Sequence, residues 1–427
     1  MLTLLIIAFA ILLALGMPIA FSMSGSALAA LVFRSDFPLD VFIQKSFSAG
    51  SSFSLLAIPF FVLAGELMTV SRLTDGLVQF CDALVGHVKS GMASVSVLAC
   101  MIFAGISGSG VADTAAIGSV VMPQLIAKGY PRGMAASLLA TAGALGPIIP
   151  PSILMIIYGS IAEVSVGRLF LAGAAPGVLI GLGLMAVAYV WNTKRGWESG
   201  SGKSFSLRRA GTTFRGAILP LITPIIIIGG IVSGVFTATE AGVVAAVYAL
   251  AAAFVTRRIG IAELRAVLIR SSLICTLPLF IISTAAIFGW ILAVQRFPEM
   301  VQGFLLSVSL GNQYLAAILI LTFLVALGFF VEVISILIIF TPILAPLGPM
   351  LGFDPIHWGL MMVVAINMGG VTPPVASQLY VAGSIAGCGL DEMSLYVFPF
   401  VAVMYVVLIV CLFIPGVAML LPRLVFG

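Results

Sequence analysis

Residues 143–152 read Gly143-Ala144-Leu145-Gly146-Pro147-Ile148-Ile149-Pro150-Pro151-Ser152, in the middle of a run, 133–162, that carries no charged side chain. Three prolines within five residues cannot continue a helix, because each lacks an N–H and crowds the turn before it. The apolar pieces on either side, 134–146 and 152–162, would together reach roughly 36 Å if helical. The interruption therefore falls near the middle of a membrane-length element. A simple kink is the alternative, and one proline would suit it. This run instead unwinds the chain and frees several carbonyls.

The rest of the chain agrees with a membrane setting. Of 427 residues, 62% are hydrophobic and 8% are charged. A soluble domain carries about 25% charged residues, so this chain has too little charge to cover a water-exposed globule. That excludes an ordinary soluble enzyme, a nucleic-acid binder and a disordered protein. Helical spans remain, because lipid requires every backbone polar group to be satisfied internally. Cys81, Cys100, Cys275, Cys388 and Cys411 lie far apart with no CxxC, which supports neither a disulfide framework nor a metal site.

Further charge-free runs cover 1–33, 90–112, 169–193, 216–239, 273–295, 300–331 and 393–422, each a candidate span. The first run lacks the basic n-region of a cleaved signal. It reads as one tilted helix or as two short ones broken at Gly16-Met17-Pro18, and the topology needs two. Segments 36–48 and 259–271 mix charge with apolar residues at helical spacing, as interfacial helices do. Lys194, Arg195, Lys203, Arg208, Arg209 and Arg215 share one loop, opposed only by Glu198. Arg257, Arg258, Arg265 and Arg270 form a second cluster. The positive-inside rule places both in the cytoplasm, with Arg72, Lys89, Lys128 and Arg132. Fourteen basic residues then lie inside, against Arg34, Lys45, Arg168, Arg296 and Arg423 outside. The N-terminus is expected on the outer face.

The proline-rich break recurs. At a constant offset of 223, Gly105 matches Gly328, Pro123 matches Pro346, and Gly129-Tyr130 matches Gly352-Phe353. Gly146 matches Gly369, and Pro150-Pro151 matches Pro373-Pro374. Repeats with interrupted hydrophobic segments in corresponding places point to secondary transporters. Before the first break, the apolar pieces 91–106 and 115–127 reach only roughly 24 and 20 Å, against a hydrocarbon core of about 30 Å. They flank a Ser/Gly-rich tip, Ile106 to Thr114, and are bounded by Lys89 and Lys128. This predicts a hairpin that re-enters from the cytoplasm; two full spans are the alternative. Pieces near 314–328 and 333–347 flank Gly328 to Glu332 in the same way. Asn367-Met368-Gly369-Gly370-Val371-Thr372-Pro373-Pro374 then makes the second break. Counting spans from the basic loops brings the second module in from outside, inverted relative to the first.

Freed carbonyls and helix C-termini suit a bare Na⁺, whereas helix N-termini suit carboxylates. Ser107, Ser109, Thr141 and Thr372 can add hydroxyl oxygens. Such oxygen-rich, His-poor surroundings disfavour zinc or copper. His87 and His357 read as structural or solvated. Asp113 either touches cargo or ion, or caps the returning helix at 114–127. Glu332 stands at the second tip, while Glu66, Glu163 and Glu240 read as interfacial anchors and Arg168 and Arg296 as span boundaries. No filter motif for a channel and no paired catalytic residues for an intramembrane enzyme stand out.

Gly105-Ile106-Ser107-Gly108-Ser109-Gly110 with Ala112-Asp113-Thr114-Ala115-Ala116-Ile117-Gly118, then Gly146-Pro147-Ile148-Ile149-Pro150-Pro151-Ser152-Ile153, resemble the large membrane subunit of tripartite ATP-independent periplasmic (TRAP) transporters. Val371-Thr372-Pro373-Pro374-Val375 and Ala382-Gly383 extend the likeness to the second half. The resemblance implies an all-α, inverted-repeat, elevator-type secondary transporter with two re-entrant hairpins and two broken helices. It implies Na⁺-coupled uptake of an organic acid of the sialic acid or C4-dicarboxylate type across the bacterial inner membrane. It also implies two partners, a small four-helix membrane subunit and a periplasmic substrate-binding protein.

By this resemblance Ser107, Gly146, Ile149 and Pro151 frame one Na⁺ site, and Gly328, Gly369, Thr372 and Pro374 a second. Ser109, Asp113 and Ser152 lie at the cargo. Phe330 stands where the repeat would place a serine, so the two sites differ chemically. The implied organisation is scaffold spans with an interfacial helix at 1–90, the first transport module at 91–192 and the basic loop at 193–215. Second scaffold spans with their interfacial helix follow at 216–295, then the second module and C-terminal span at 296–427. A related Na⁺-coupled dicarboxylate carrier working without a binding protein is the alternative.

Overall fold

A computed structural model of the chain describes residues 1–34, 37–198 and 205–427. Lys203 of the basic loop lies outside the described residues, as does the side chain of Arg34. Among the described residues every regular element is helical. The first half runs α1 (Leu2–Ala14), α2 (Ile19–Arg34), α3 (Asp40–Gly50), a short 3₁₀ turn, α4 (Ala57–Val70), α5 (Leu73–Val85), α6 (Gly91–Ser107), α7 (Gly110–Ala127), α8 (Arg132–Gly143), α9 (Ile153–Ile161) and α10 (Val166–Arg195). The second half runs α11 (Leu207–Val232), α12 (Ala238–Val255), α13 (Ile261–Val294), α14 (Phe297–Val308), α15 (Gln313–Leu327), α16 (Val333–Leu344), the single turn α17 (Leu347–Met350), α18 (Pro355–Gly369), α19 (Ser377–Ala386), α20 (Leu390–Phe413) and α21 (Gly416–Phe426). Seven of the described helices are long and apolar enough to cross a membrane.

The 223-residue offset holds well beyond the glycines and prolines that reveal it. It carries the start of α6 to that of α15, α8 to α18, α9 to α19 and α10 to α20, each within about one residue. Both breaks contain a cis Pro-Pro bond, at Pro150-Pro151 and Pro373-Pro374. Three of the helices that restart at the tips and breaks do so on side-chain caps, whereas α19 restarts behind Ala376 without one. Ser109 caps α7, Ser152 caps α9 and Glu332 caps α16, each accepting a backbone N–H of the first turn.

The N-terminal run is two helices that pack on each other. Segment 259–271 is not a separate interfacial helix. It forms the first turns of α13, whose 34 residues reach about 51 Å, so its charged start projects past an apolar layer. Run 300–331 is not one span either: α14 and α15 meet at a bend of 112°. Run 393–422 breaks at Ile414-Pro415 into α20 and α21. The returning helix of the first hairpin is also longer than the residue pattern suggests. α6 has 17 residues, close to the 91–106 piece expected, but α7 has 18, so length alone does not keep α7 from crossing. The hairpin rests instead on its two-residue turn, Gly108-Ser109, in which Gly108 takes φ +64°.

The halves interlock. α19 of the second half packs on α7 and α8 of the first, α9 packs on α16, and outside them α4 packs on α12 and α5 on α11. α20 fixes the relative direction of the two hairpins. Near its N-terminal end, Ser137 of α8 donates to Met393 O at 2.9 Å, beside the open end of the first hairpin. At its other end Phe413 stacks on Tyr314 with centroids 5.3 Å apart, beside the open end of the second. The helix between is about 36 Å long. The hairpins therefore enter from opposite ends, and their tips meet the breaks in between.

Candidate functional site

Each tip is joined to the break of its own module by one backbone hydrogen bond. Ile153 N donates to Gly108 O at 3.2 Å, and Val375 N donates to Phe329 O at 3.1 Å. At the second junction Gly328 and Gly369 lie backbone to backbone, and a Cβ on either would collide with the other's main chain. At the first, a Cβ on Gly146 would collide with the carboxylate of Asp113.

Asp113 is fully buried in the first turn of α7. It does not cap the returning helix, since Ser109 occupies that place and α7 starts four residues earlier than the residue pattern suggests. Asp113 Oδ1 accepts from the Ser107 hydroxyl. Its Oδ2 has no partner. Ser107 Oγ also accepts from Ser109 N at 3.1 Å, which closes the tip around the carboxylate. Ser152 donates to Pro147 O and accepts from Met155 N at 3.2 Å, so its oxygen supports the break. Thr141 and Thr372 bond carbonyls of their own helical turns, Thr372 to Met368 O at 2.8 Å. Among the described residues no N–H or hydroxyl is donated to the carbonyls of Gly146, Ile149 or Pro151. These oxygens, with Ser107, are the ones expected to frame the first ion site. Around the second, Gly369 O accepts from Thr372 N at 3.1 Å, while the carbonyls of Gly328, Thr372 and Pro374 accept nothing from the described residues.

Two residues that sequence reasoning missed complete the centre. Asn367 Nδ2 donates to Ala144 O at 2.7 Å, and these positions are 223 apart. The pseudo-symmetry axis therefore passes between them. Gln378 lies against Gly110 at the start of α7. Asn367 Oδ1 and Gln378 Oε1 are buried without partners, as Asp113 Oδ2 is. Asn367 and Gln378 flank the second break, and an uncharged amide inside an apolar run is a signal the sequence carries, because buried polar groups in membrane segments are costly and tend to serve function.

The basic positions assigned to one face do gather at one end. Arg209 pairs with Asp82, Arg258 Nη1 donates to Arg72 O at 2.7 Å, and Lys128 lies 3.7 Å from Glu198. A cavity of about 830 Å³ opens there between α5, α11 and the face of α7 that carries Ala116, Ser119 and Gln124. His87 sits half-buried against Phe205 at this end, and a ring nitrogen of His357 lies 2.8 Å from Cys411 O. Both are structural. Glu66 pairs with Arg270 at 3.5 Å, and Glu240 closes a capping box with Thr237. Arg168 reaches Phe426 O, and Arg296 precedes α14 in the left-handed conformation.

The described residues, all-helical in their regular elements, with seven membrane-length helices, two opposed hairpins and two broken helices meeting at the centre, define the class of membrane transporters built from inverted repeats. The sequence model of the family described as "Tripartite ATP-independent periplasmic transporter, DctM component" matches residues 6–417, and the chain belongs to this family. It is 38% identical to the C4-dicarboxylate TRAP transporter large permease protein DctM of Pseudomonas aeruginosa, over 93% of this chain and 92% of that one. It is 34% identical to the sialic acid TRAP transporter large permease protein SiaM of Vibrio cholerae, over 96% of each. With the isethionate TRAP transporter permease protein DctMQ of Oleidesulfovibrio alaskensis it shares 36% identity, over 96% of this chain but 65% of the relative's length. In fold it is similar to the YdaH transporter of Alcanivorax borkumensis, with a TM-score of 0.58, 15% identity and coverage of 88% and 87%. These relatives are permeases and not enzymes.

Proposed function

We propose that the chain is the transport subunit of a tripartite importer that moves an organic acid across the bacterial inner membrane, driven by Na⁺. It works with a small four-helix membrane subunit and a periplasmic substrate-binding protein, by an elevator movement of the hairpins and broken helices. Its N-terminus faces the periplasm. The observation that carries the reading is the tip of the first hairpin, where a buried carboxylate with one unpartnered oxygen faces the Gly146 turn. The named relatives support an organic acid as cargo, and the compound name DctMQ supports a second membrane component.

The residues present fit Na⁺. Ser107, Asp113 and the unclaimed carbonyls of Gly146, Ile149 and Pro151 are hard oxygen donors with no competing soft ligand. When bound, the ion supplies positive charge beside Asp113 and so lets an anionic cargo approach. Asp113 and Ser107 hold the tip closed against the break. The N-terminal end of α7, where Ser109 stands, presents its dipole to the cargo carboxylate. Gly328, Gly369, Thr372 and Pro374 frame the second ion site. Two Na⁺ with a monoanion would carry one net positive charge inward, gaining about 2.3 kcal/mol per 100 mV. The large cavity at the basic end then reads as the cytoplasmic vestibule.

The test is uptake of candidate organic acids into proteoliposomes holding the permease and its membrane partner, with the binding protein outside. Uptake is expected to need an inward Na⁺ gradient and to rise with an inside-negative potential. Uptake indifferent to both, or undiminished without the binding protein, would overturn the reading.

A further inference from the structure

The open end of the first hairpin is closed by a residue outside it. Glu198 follows α10, and its side chain is 3% exposed. Its Oε2 accepts from Met92 N at 3.1 Å and from the Tyr130 hydroxyl at 3.0 Å, while Oε1 faces Lys128 at 3.7 Å. Met92 N is one of the free N–H groups at the start of α6, where a carboxylate is favoured by the helix dipole. Lys128 and Tyr130 follow the end of α7. One carboxylate thus binds both legs of the hairpin.

Glu198 is itself held. Asn192, in the last turn of α10, donates to Glu198 O and accepts from Glu198 N, both at 2.7 Å. Trp197 packs on Tyr130 with centroids 5.6 Å apart, and Ser90 bonds the Tyr130 hydroxyl at 3.0 Å. Burial pushes the Tyr130 phenol above its ordinary range, so it remains a donor. The second hairpin has no such clasp among the described residues. Its open end is held by Tyr314 against Phe353 and by Trp358 Nε1 donating to Leu344 O at 2.8 Å.

We propose that Glu198 is a positioning residue for transport, fastening the open end of the first hairpin to α10. Hairpin and α10 then travel as one body, and Ser107 and Asp113 stay in register with the Gly146 turn. The inference rests on the reading of that tip as an ion site, and the two can fail separately.

The test uses the purified full-length chain in lipid nanodiscs, with its native cysteines replaced by alanine. A cysteine in place of Ala93, fully buried in the first turn of α6, reports whether the hairpin parts from α10. Maleimide labelling of Ala93→Cys should be slow, and adding Glu198→Ala should speed it about tenfold, since local opening follows the lost contacts. Glu198→Gln keeps an acceptor for Met92 N and Tyr130 and should speed it less than about threefold. If Glu198→Ala does not fold, Lys128→Ala with Tyr130→Phe removes two of the three partners and should give about a fourfold rise. Unchanged labelling overturns the fastening.

The second readout is thermal protection by NaCl measured against KCl. Glu198→Ala should raise the Na⁺ concentration for half-maximal protection by about fivefold, and Glu198→Gln by less than about twofold. A merely structural Glu198 would lower the melting temperature equally in both salts without moving that midpoint, which would also overturn the proposal. If the unaltered chain shows no Na⁺ protection, the ion-site reading fails, and the labelling still decides whether Glu198 fastens the hairpin.

Discussion

At the tip of the first hairpin stand Ser107, Ser109 and Asp113; 223 residues later stand Phe330, Glu332 and Ile336. The backbones correspond, with a short turn, a capped returning helix and one hydrogen bond to a cis-proline break in each. The surroundings do not. Asp113 is fully buried, whereas the Phe330 ring is 70% exposed and Glu332 lies at the surface. The amides of the second half turn toward the first module, Asn367 to Ala144 in its break and Gln378 to Gly110 at its tip. Repetition thus supplies two similar frames of carbonyls, while the side chains of both halves converge on one of them. Under the proposed function the inverted backbone symmetry would serve alternating access, while unequal chemistry gives the first tip a buried carboxylate that the second lacks among the described residues.

The largest expected effect separates the two tips directly. Asp113→Asn should cut initial uptake by about a hundredfold, equivalent to about 2.7 kcal/mol, with little change in melting temperature. Because Ser109 is the cap, no capping role complicates this comparison. Ile336→Val at the matched position should cost about 1 kcal/mol of stability and leave Na⁺-dependent uptake intact. Equal losses of uptake in both variants would break the asymmetry.

Matched glycines sharpen it next. Gly369→Ala drives a methyl into the backbone of Gly328 and should cost about 3 kcal/mol of stability. At Gly146 the first obstacle is the Asp113 carboxylate, so Gly146→Ala should lose uptake in excess of stability. Thermal unfolding beside uptake rates decides. A smaller effect is expected at the axis, where Asn367→Ala leaves Ala144 O unsatisfied and should cost about 1–2 kcal/mol. The smallest is Arg270→Gln, which removes an exposed pair with Glu66 and should shift stability by about 0.5 kcal/mol or less.

What the sequence made legible follows from local rules. Clustered prolines break helices, while single ones such as Pro176 in α10 and Pro278 in α13 are accommodated, so both breaks and the 223-residue offset can be read from residues alone. Charge was a poorer guide. Glu263, Arg265 and Arg270 suggested a separate interfacial helix, yet α13 runs through them because its start extends past the apolar layer. The bend between α14 and α15 carries no charge, so charge leaves run 300–331 undivided, and only the hairpin leg near 314–328 hints at the division. Asp113 stands out in the sequence as an acid beside the tip, but its place inside α7 depends on Ser109 capping the helix. Met92, which donates to Glu198, lies 106 residues from it, and Ala144, which accepts from Asn367, lies 223 away. No local pattern announces contacts set by the interlocking of two halves.

In this architecture two alike modules enter the membrane from opposite sides. Single cysteines at Lys89 and Lys128 flank the first hairpin, and single cysteines at Gln313 and Met350 flank the second; all four positions are exposed. Labelling with a membrane-impermeant maleimide in intact and in permeabilised spheroplasts measures the side of each. Cysteines replacing Lys89 and Lys128 should react only after permeabilisation, while those replacing Gln313 and Met350 should react from outside. Four cysteines reacting from one side, or either pair divided between the two sides, would contradict that arrangement.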